Sequence, residues 1–467
     1  MKRQKLTPSE FLYGLCFALC FFAFMLTEAF INERCAVILG STAVNSVYTF
    51  GLVCTGFGFL SFSLLRRLCK KEKSRKTAQI IIGVLCLGAA LVLLFADYPA
   101  LFLTSSAAAL LLTGHISGCV YYNTAMYFAG SRYTGRLIGT GMGAAILLQF
   151  VVHNLMPQSV TFIISILFSV AFVMYFIMKA PKDWILENPL PYSSEAQKDF
   201  KKALLLIVAV VLMSLVAGMI DSVLTAFNAE KSYDIYGGVR LFYALGLILA
   251  GFLADIRERK YLPLSAVCTI LLSSVCMFFL SDKVSYFAGT ALMYLYSGFY
   301  VIFFTVMFLD FAPKSGNPEL WAGMGRIVRS FTVAATVLPA LSVYDAVGNT
   351  VLAVVSCLLS ILILLVLLPY LSNAAVSPKP TEELPSESRE LSPQERLKLY
   401  ARRCSLTPRE TEVLEKLLTT EDGVQEIADN LYISRRMVQR YISSIYEKTE
   451  TKTRLGLFQS YMNFTAE

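Results

Sequence analysis

The side chains best suited to chemistry fall into two groups. Arg435, Arg436, Gln439, Arg440 and Ser443 recur at i, i+1, i+4, i+5 and i+8, which is one face of an α-helix. Arginine forks onto guanine or phosphate and glutamine pairs with adenine, so a helix displaying these types suits a DNA groove. Lys448 and Arg454 extend the set, because 434–456 holds six basic residues against two acidic ones, a local +4 matched to phosphates. The second group is Glu28, Asp221 and Arg240, which lie within apolar runs, where an ionisable side chain is costly and therefore informative.

Other chemistries lack material. The two histidines, His115 and His153, sit in separate apolar segments and read as packing or cavity-lining residues. The 11 cysteines are scattered, none in a CxxC pair, so neither a zinc site nor a disulfide framework is expected. No phosphate-binding loop and no acid pair with a nucleophile occurs, so no enzyme, metal or cofactor is expected.

The elements that carry these residues follow from composition. Of 467 residues 56% are hydrophobic and only 16% charged, where a soluble chain has roughly a quarter charged. The mean hydropathy of +0.60 agrees, and lipid is the expected solvent. Twelve apolar stretches long enough to span a bilayer are expected at 11–31, 44–65, 78–96, 101–122, 138–156, 161–178, 203–226, 237–254, 262–280, 286–308, 328–343 and 350–370. The first is too long for a signal core and lacks a small-residue cleavage site. With the N-terminus inside, the inner segments carry 23 Lys and Arg, Arg326 and Arg329 among them, and the outer loops carry three (Arg34, Lys231 and Lys283). That asymmetry places both termini in the cytoplasm. Gly114 with Gly118, and Gly139 with Gly143, have the spacing that lets helices approach closely.

Beyond the spans the composition changes. Residues 372–391 are rich in Pro, Ser and Glu and read as a solvated linker, followed by a short helix over 392–404 started by Ser392, Pro393 and Glu395. From 405 a small four-helix domain is expected. Thr407 caps its first helix with Pro408 and Glu410 behind it, 424–431 forms the second, Ser434 caps the third through 449, and the fourth runs over about 453–461. Val438, Ile442 and Ile445 form the buried line of the third helix, opposite the polar face described above. Two helices joined by a tight turn, the second displaying Arg and Gln, is a helix-turn-helix pattern.

This segment resembles the LuxR-type DNA-binding domain. The match rests on Leu406-Thr407-Pro408-Arg409-Glu410, Glu412-Val413-Leu414, Glu426-Ile427-Ala428, Leu431, Ile433-Ser434, Val438, Ile445, Lys448 and Arg454, in order over about 55 residues. The resemblance implies that Gln439, Arg440 and Ser443 meet base edges and that two copies bind double-stranded promoter DNA as a homodimer. Where the family usually reads Thr-Val-Lys-x-His, this chain reads Met437-Val438-Gln439-Arg440-Tyr441, so its preferred site need not be the family's common one.

The twelve spans, with a cytoplasmic loop between the sixth and seventh, suggest two six-helix halves, the layout of the major facilitator superfamily. Gly251, Asp255, Arg259 and Lys260 in GFLADIRERK resemble that superfamily's loop signature. The first-half counterpart, GFLSFSLLRR, keeps Gly58 and the basic pair but has Phe62 where Asp belongs, which puts the rocking cycle of a transporter in doubt. Asp221 and Arg240 fall at similar depth and suit a pair facing a central cavity, with Glu28 in the place in the first half that Asp221 takes in the second. The three form a ligand site or outer gate on one reading, and on the other are interfacial residues reaching headgroups.

The expected architecture is therefore all-α: a twelve-helix transmembrane bundle over 1–371, a linker with a short helix over 372–404, and a helix-turn-helix domain over 405–467. The expected function is a one-component transcriptional regulator in a bacterial cytoplasmic membrane, binding promoter DNA and sensing an unknown small molecule. The alternative is a small-molecule transporter with a regulatory DNA-binding tail. The net charge of +8 divides into +9 over 1–371 and −1 over 372–467, so the excess marks loop orientation and not DNA binding.

Overall fold

The computed structural model describes residues 8–69, 71–129, 131, 133–156, 159–179, 196–230, 233–256, 259–276, 283–375, 397, 399–401, 403–404, 406–420, 422–449, 451 and 453–462. Among them there is no strand, and the chain divides into two compact units, Met1–Val376 and Ser377–Glu467. Most of the expected linker, including the start of its short helix at Ser392, lies outside the described residues. Leu397, residues 399–401 and Arg403 are helical.

The long helices of the first unit are α1 (Pro8–Ile38), α2 (Val44–Leu68), α3 (Glu72–Leu94), α4 (Pro99–Tyr127), α5 (Thr134–Leu155), α6 (Ser159–Lys179), α7 (Ala196–Ala229), α8 (Arg240–Ala254), α9 (Tyr261–Cys276), α10 (Lys283–Phe311), α11 (Met324–Val347) and α12 (Asn349–Ala375), with a single helical turn at Pro318–Trp321 before α11. Ten are long and apolar enough to cross a membrane, and α8 and α9 are shorter apolar helices at two of the expected span positions. Proline opens α1 and α4, where its missing N–H costs nothing, and Gly348 ends α11 at φ 77°. The last helix runs to Ala375, a few residues into the stretch read as linker.

Pairing shows a repeated plan. In the first half α2 packs on α4, α3 on α4 and α6, and α1 on α5 and α6. The second half repeats it: α8 on α10, α9 on α10 and α12, and α7 on α11 and α12. Two seams, α5–α8 and α2–α11, join the halves. Close approach depends on glycine. A Cβ on Gly58 would stand 2.2 Å from the Leu111 carbonyl oxygen of α4, and one on Gly139 would stand 2.7 Å from the Gly251 Cα across the α5–α8 seam. The spacing of Gly114 and Gly139 is thus used for packing.

Helices α1 and α10 are the most enclosed, with 78% of their most apolar windows buried, whereas α3 and α12 are 28% and 33% buried and lie at the periphery. Their outward side chains are apolar, among them Ile81, Val84 and Leu85 on α3 and Leu358, Ile361 and Leu365 on α12. An apolar surface of this extent is stable in hydrocarbon and not in water.

The second unit contains α13 (Pro408–Thr419), α14 (Val424–Asn430), α15 (Arg435–Lys448) and α16 (Arg454–Met462). Val413, Leu414, Leu417, Ile427, Ala428, Val438, Ile445 and Leu457 form a core of its own. Ile442, expected in the buried line, is only partly buried and packs against that core. Thr407 caps α13 through a capping box, with its hydroxyl accepting from Glu410 N–H and Glu410 Oε2 accepting from Thr407 N–H at 2.6 Å. Ser434 caps α15 in the same way by accepting from Met437 N–H. The turn between α14 and α15 is set by Tyr432, at φ 54° and 95% exposed.

Candidate functional site

In the second unit the Ser434 cap fixes where α15 begins, and burial of Val438 and Ile445 fixes its roll. Arg435, Arg436, Gln439, Arg440 and Ser443 are then all exposed on one side. Among the described residues none of the three arginines nor Gln439 has a hydrogen-bond or ion-pair partner, so their donors are open to an acceptor from outside the chain.

Lys448 and Arg454 are employed differently. Lys448 Nζ lies 2.7 Å from Glu410 Oε2, and Ser444 Oγ donates to Glu410 Oε1 at 2.6 Å, so Glu410 ties α13 to α15. Burial alone would raise the Glu410 carboxyl, but hydrogen bonds from Lys448, Ser444 and the Thr407 backbone outweigh it and bring it down to about 2. Arg454 donates from Nε to the Leu417 carbonyl at 2.9 Å, from Nη1 to that of Asp422 at 2.9 Å, and from Nη2 to that of Thr420. It stitches the α13–α14 turn to the start of α16. Sequence reasoning read both cations as phosphate contacts because it saw their charge and not the acceptors brought to them by the fold.

In the first unit Glu28, Asp221 and Arg240 line one cavity of about 70 Å³ between the halves, walled by α1, α2, α7, α8, α10 and α11. The expected pairing of Asp221 with Arg240 is corrected. Asp221 Oδ2 accepts from Tyr48 Oη at 2.9 Å and from Arg329 Nη2 at 3.3 Å. Arg240, 6% exposed, instead lies between the rings of Tyr236 (4.7 Å to the centroid), Tyr294 (5.2 Å) and Tyr243 (5.8 Å). Glu28 has no hydrogen-bond partner among the described residues.

Arg326 and Arg329 belong to this site and were misplaced by sequence reasoning, which counted both as inner-loop residues. The helix starts at Met324 and not at 328, so both lie within α11. Arg326 is 5% exposed, donates from Nε to Tyr121 Oη at 3.0 Å, and faces the rings of Phe21 and Phe304. A hydropathy window closes at any arginine, including one that faces a polar cavity inside a helix. The available signal was their i, i+3 spacing on a segment of otherwise helical pattern.

The loop signature also takes shape. Asp255, with its side chain fully buried, accepts at the N-terminus of α5 from Gly135 N–H (2.8 Å), Arg136 N–H (2.9 Å) and Arg136 Nε (2.9 Å). Arg259, turned back at φ 71°, adds a bond of 2.5 Å to Asp255 and another of 2.7 Å to Asp310. Phe62, the counterpart in the other half, packs edge-on to His115 at 5.7 Å. His115 is held by Ser61 at 2.8 Å and Gln79 at 3.2 Å, and His153 contacts Glu33 at 3.0 Å, so each histidine has partners of its own.

Comparison with known proteins agrees with both units. Residues 404–460 match the family profile "Bacterial regulatory proteins, luxR family". The bundle is similar to three solved transporters. One is the human organic anion transporter MFSD10 (TETRAN), at TM-score 0.55 and 14% identity over 78% of this chain and all of that one. A second is an auto-inhibited POT family peptide transporter (TM-score 0.52, 11% identity, 79% of this chain and 97% of that one). A third is the proton:xylose symporter XylE of the major facilitator superfamily (TM-score 0.50, 15% identity, 78% of this chain and 95% of that one). No curated protein sequence matches. The chain thus joins a major-facilitator-like bundle of apolar helices to a LuxR-type helix-turn-helix domain.

Proposed function

We propose that the protein is a one-component transcriptional regulator anchored in a bacterial cytoplasmic membrane, with both termini in the cytoplasm. Its domains are a membrane domain over 1–371, a linker over 372–404 and a DNA-binding domain over 405–467. The observation that carries this reading is the open face of α15, five exposed polar side chains on the second helix of a helix-turn-helix. Gln439, Arg440 and Ser443 meet base edges, Arg435 and Arg436 meet phosphates, and two copies bind two half-sites. Lys448 and Arg454 hold the domain together and contribute to DNA binding through its shape.

The membrane domain binds a small molecule through Glu28, Asp221 and Arg240. Ligand favours one arrangement of the bundle, which alters the access or dimerisation of the tethered DNA-binding domain. Mapping the chromosomal sites occupied by the full-length protein tests the reading. Gln439→Ala and Arg440→Ala should each cost ~1–3 kcal/mol at a mapped site if each makes a good base contact. Unchanged occupancy in the double variant would remove α15 as the reading helix.

Transport is a second reading, supported by the likeness to transporter folds and by the polar cavity. Uptake into proteoliposomes that disappears with Asp221→Asn would establish it.

A further inference from the structure

The ligand of the membrane domain, on the reading just proposed, can be narrowed to a chemical class from the cavity's own groups. Three guanidinium groups face it, those of Arg240, Arg326 and Arg329, against two carboxylates, Glu28 and Asp221. The formal excess is one positive charge. Asp221 is already engaged by Arg329 and Tyr48. Arg240 Nε, Arg326 Nη2 and Arg329 Nε remain buried without an acceptor. Buried charged donors are costly to leave unpaired, and native structures contain few. Three around one cavity mark a place where oxygen acceptors are to be supplied from outside.

The sign and count of charge decide what supplies them. A cation would meet Arg240 and Arg326, which no carboxylate bridges among the described residues, and a neutral molecule would leave the excess charge in place. A single negative charge cancels it, and a planar carboxylate matches the guanidinium fork. The rest of the wall sets Phe24, Leu224 and Ile235 beside the polar Asn32, Thr225 and Ser297, so it offers apolar surface to a carbon body as well as hydrogen bonds, which a bare inorganic ion would leave partly unused. The rings of Tyr236, Tyr243 and Tyr294 around Arg240 hold its fork in place before any ligand arrives.

We infer that the cavity binds a small organic monocarboxylate, with its carboxylate at the open donors of Arg240 and Arg326 and its carbon body against Phe24, Leu224 and Ile235. Isothermal titration of the full-length protein in nanodiscs tests this, with benzoate and phenylacetate as probes against benzamide, benzylamine and inorganic phosphate. The two carboxylates should bind, with benzamide about tenfold or more weaker. Arg240→Gln should lose about tenfold or more in benzoate affinity, while Arg67→Gln, at the Arg67–Glu319 pair away from the cavity, should match the parent. Arg326→Lys, which keeps the charge, should bind benzoate better than Arg326→Gln and so separates charge from folding.

The inference is overturned if neither carboxylate binds, if benzamide binds equally, if a monodisperse Arg240→Gln protein binds benzoate as the parent does, or if phosphate binds more tightly than benzoate. Chromosomal occupancy is measured separately. Lost carboxylate binding with occupancy intact removes this inference alone, whereas absent occupancy removes the regulator.

Discussion

Glu410 is the residue on which the second unit turns. It closes the cap of α13, receives Ser444 and pairs with Lys448, all while 5% exposed. Its carboxyl, lowered from 4.5 to about 2, contributes stability that is complete above the unfolded value and is lost as pH falls from about 4.5 towards 2. Thermal melts of the C-terminal unit should therefore show a loss of ~1–2 kcal/mol between pH 6 and pH 3, after allowance for screening at Lys448, and Glu410→Gln should remove most of that slope. A variant with the parent's slope would refute the assignment. Arg454→Ala should likewise lower the melting temperature before it lowers DNA affinity, because its three donors are spent on backbone carbonyls. The residue types of the exposed α15 face were legible in the sequence because helical spacing puts them on one side. The duties of Lys448 and Arg454 were not, because their partners lie more than 30 positions earlier in the chain.

Among the elements, α15 and the two seams carry the testable content. If Arg435 and Arg436 each hold a phosphate, replacing either with Ala should weaken binding to all sequences alike and reduce the salt slope of log K by about 1. A slope unchanged in both would place the phosphate contacts elsewhere. On the α5–α8 seam, Gly139→Val should destabilise the bundle by ~1–3 kcal/mol or more in detergent melts, since its Cβ meets the Leu247 carbonyl oxygen at 2.6 Å. Helix existence was readable throughout the first unit because hydrocarbon demands about 20 apolar residues per crossing. Helix ends were less so. The expected start of α11 fell at 328 because arginine was assigned to water, when a cavity between helices gives it a third environment.

For the whole molecule, the repeated pairing of α1–α6 in α7–α12 gives two halves joined by two seams of similar kind, and the sequence anticipated the halves. The seams differ in what bonds them. At the α5–α8 seam the buried Asp255 gathers four hydrogen bonds from the start of α5 and from Arg259, whereas Phe62, in the corresponding place on α2, turns to His115 of α4, and this end of α2 is tied to the other half by the partly exposed Arg67–Glu319 pair at 3.3 Å. Considered as a machine, the bundle is bolted along one edge and only lightly latched along the other. A motion that parts the halves at this end should therefore begin on the Arg67–Glu319 side, as a lopsided swing about the Asp255 edge, because a part-exposed ion pair holds less than a buried carboxylate with four donors. Spin-label distances across the two seams should lengthen first and further at α2–α11, Asp255→Asn should make the two alike, and equal movement in the parent would contradict the asymmetry.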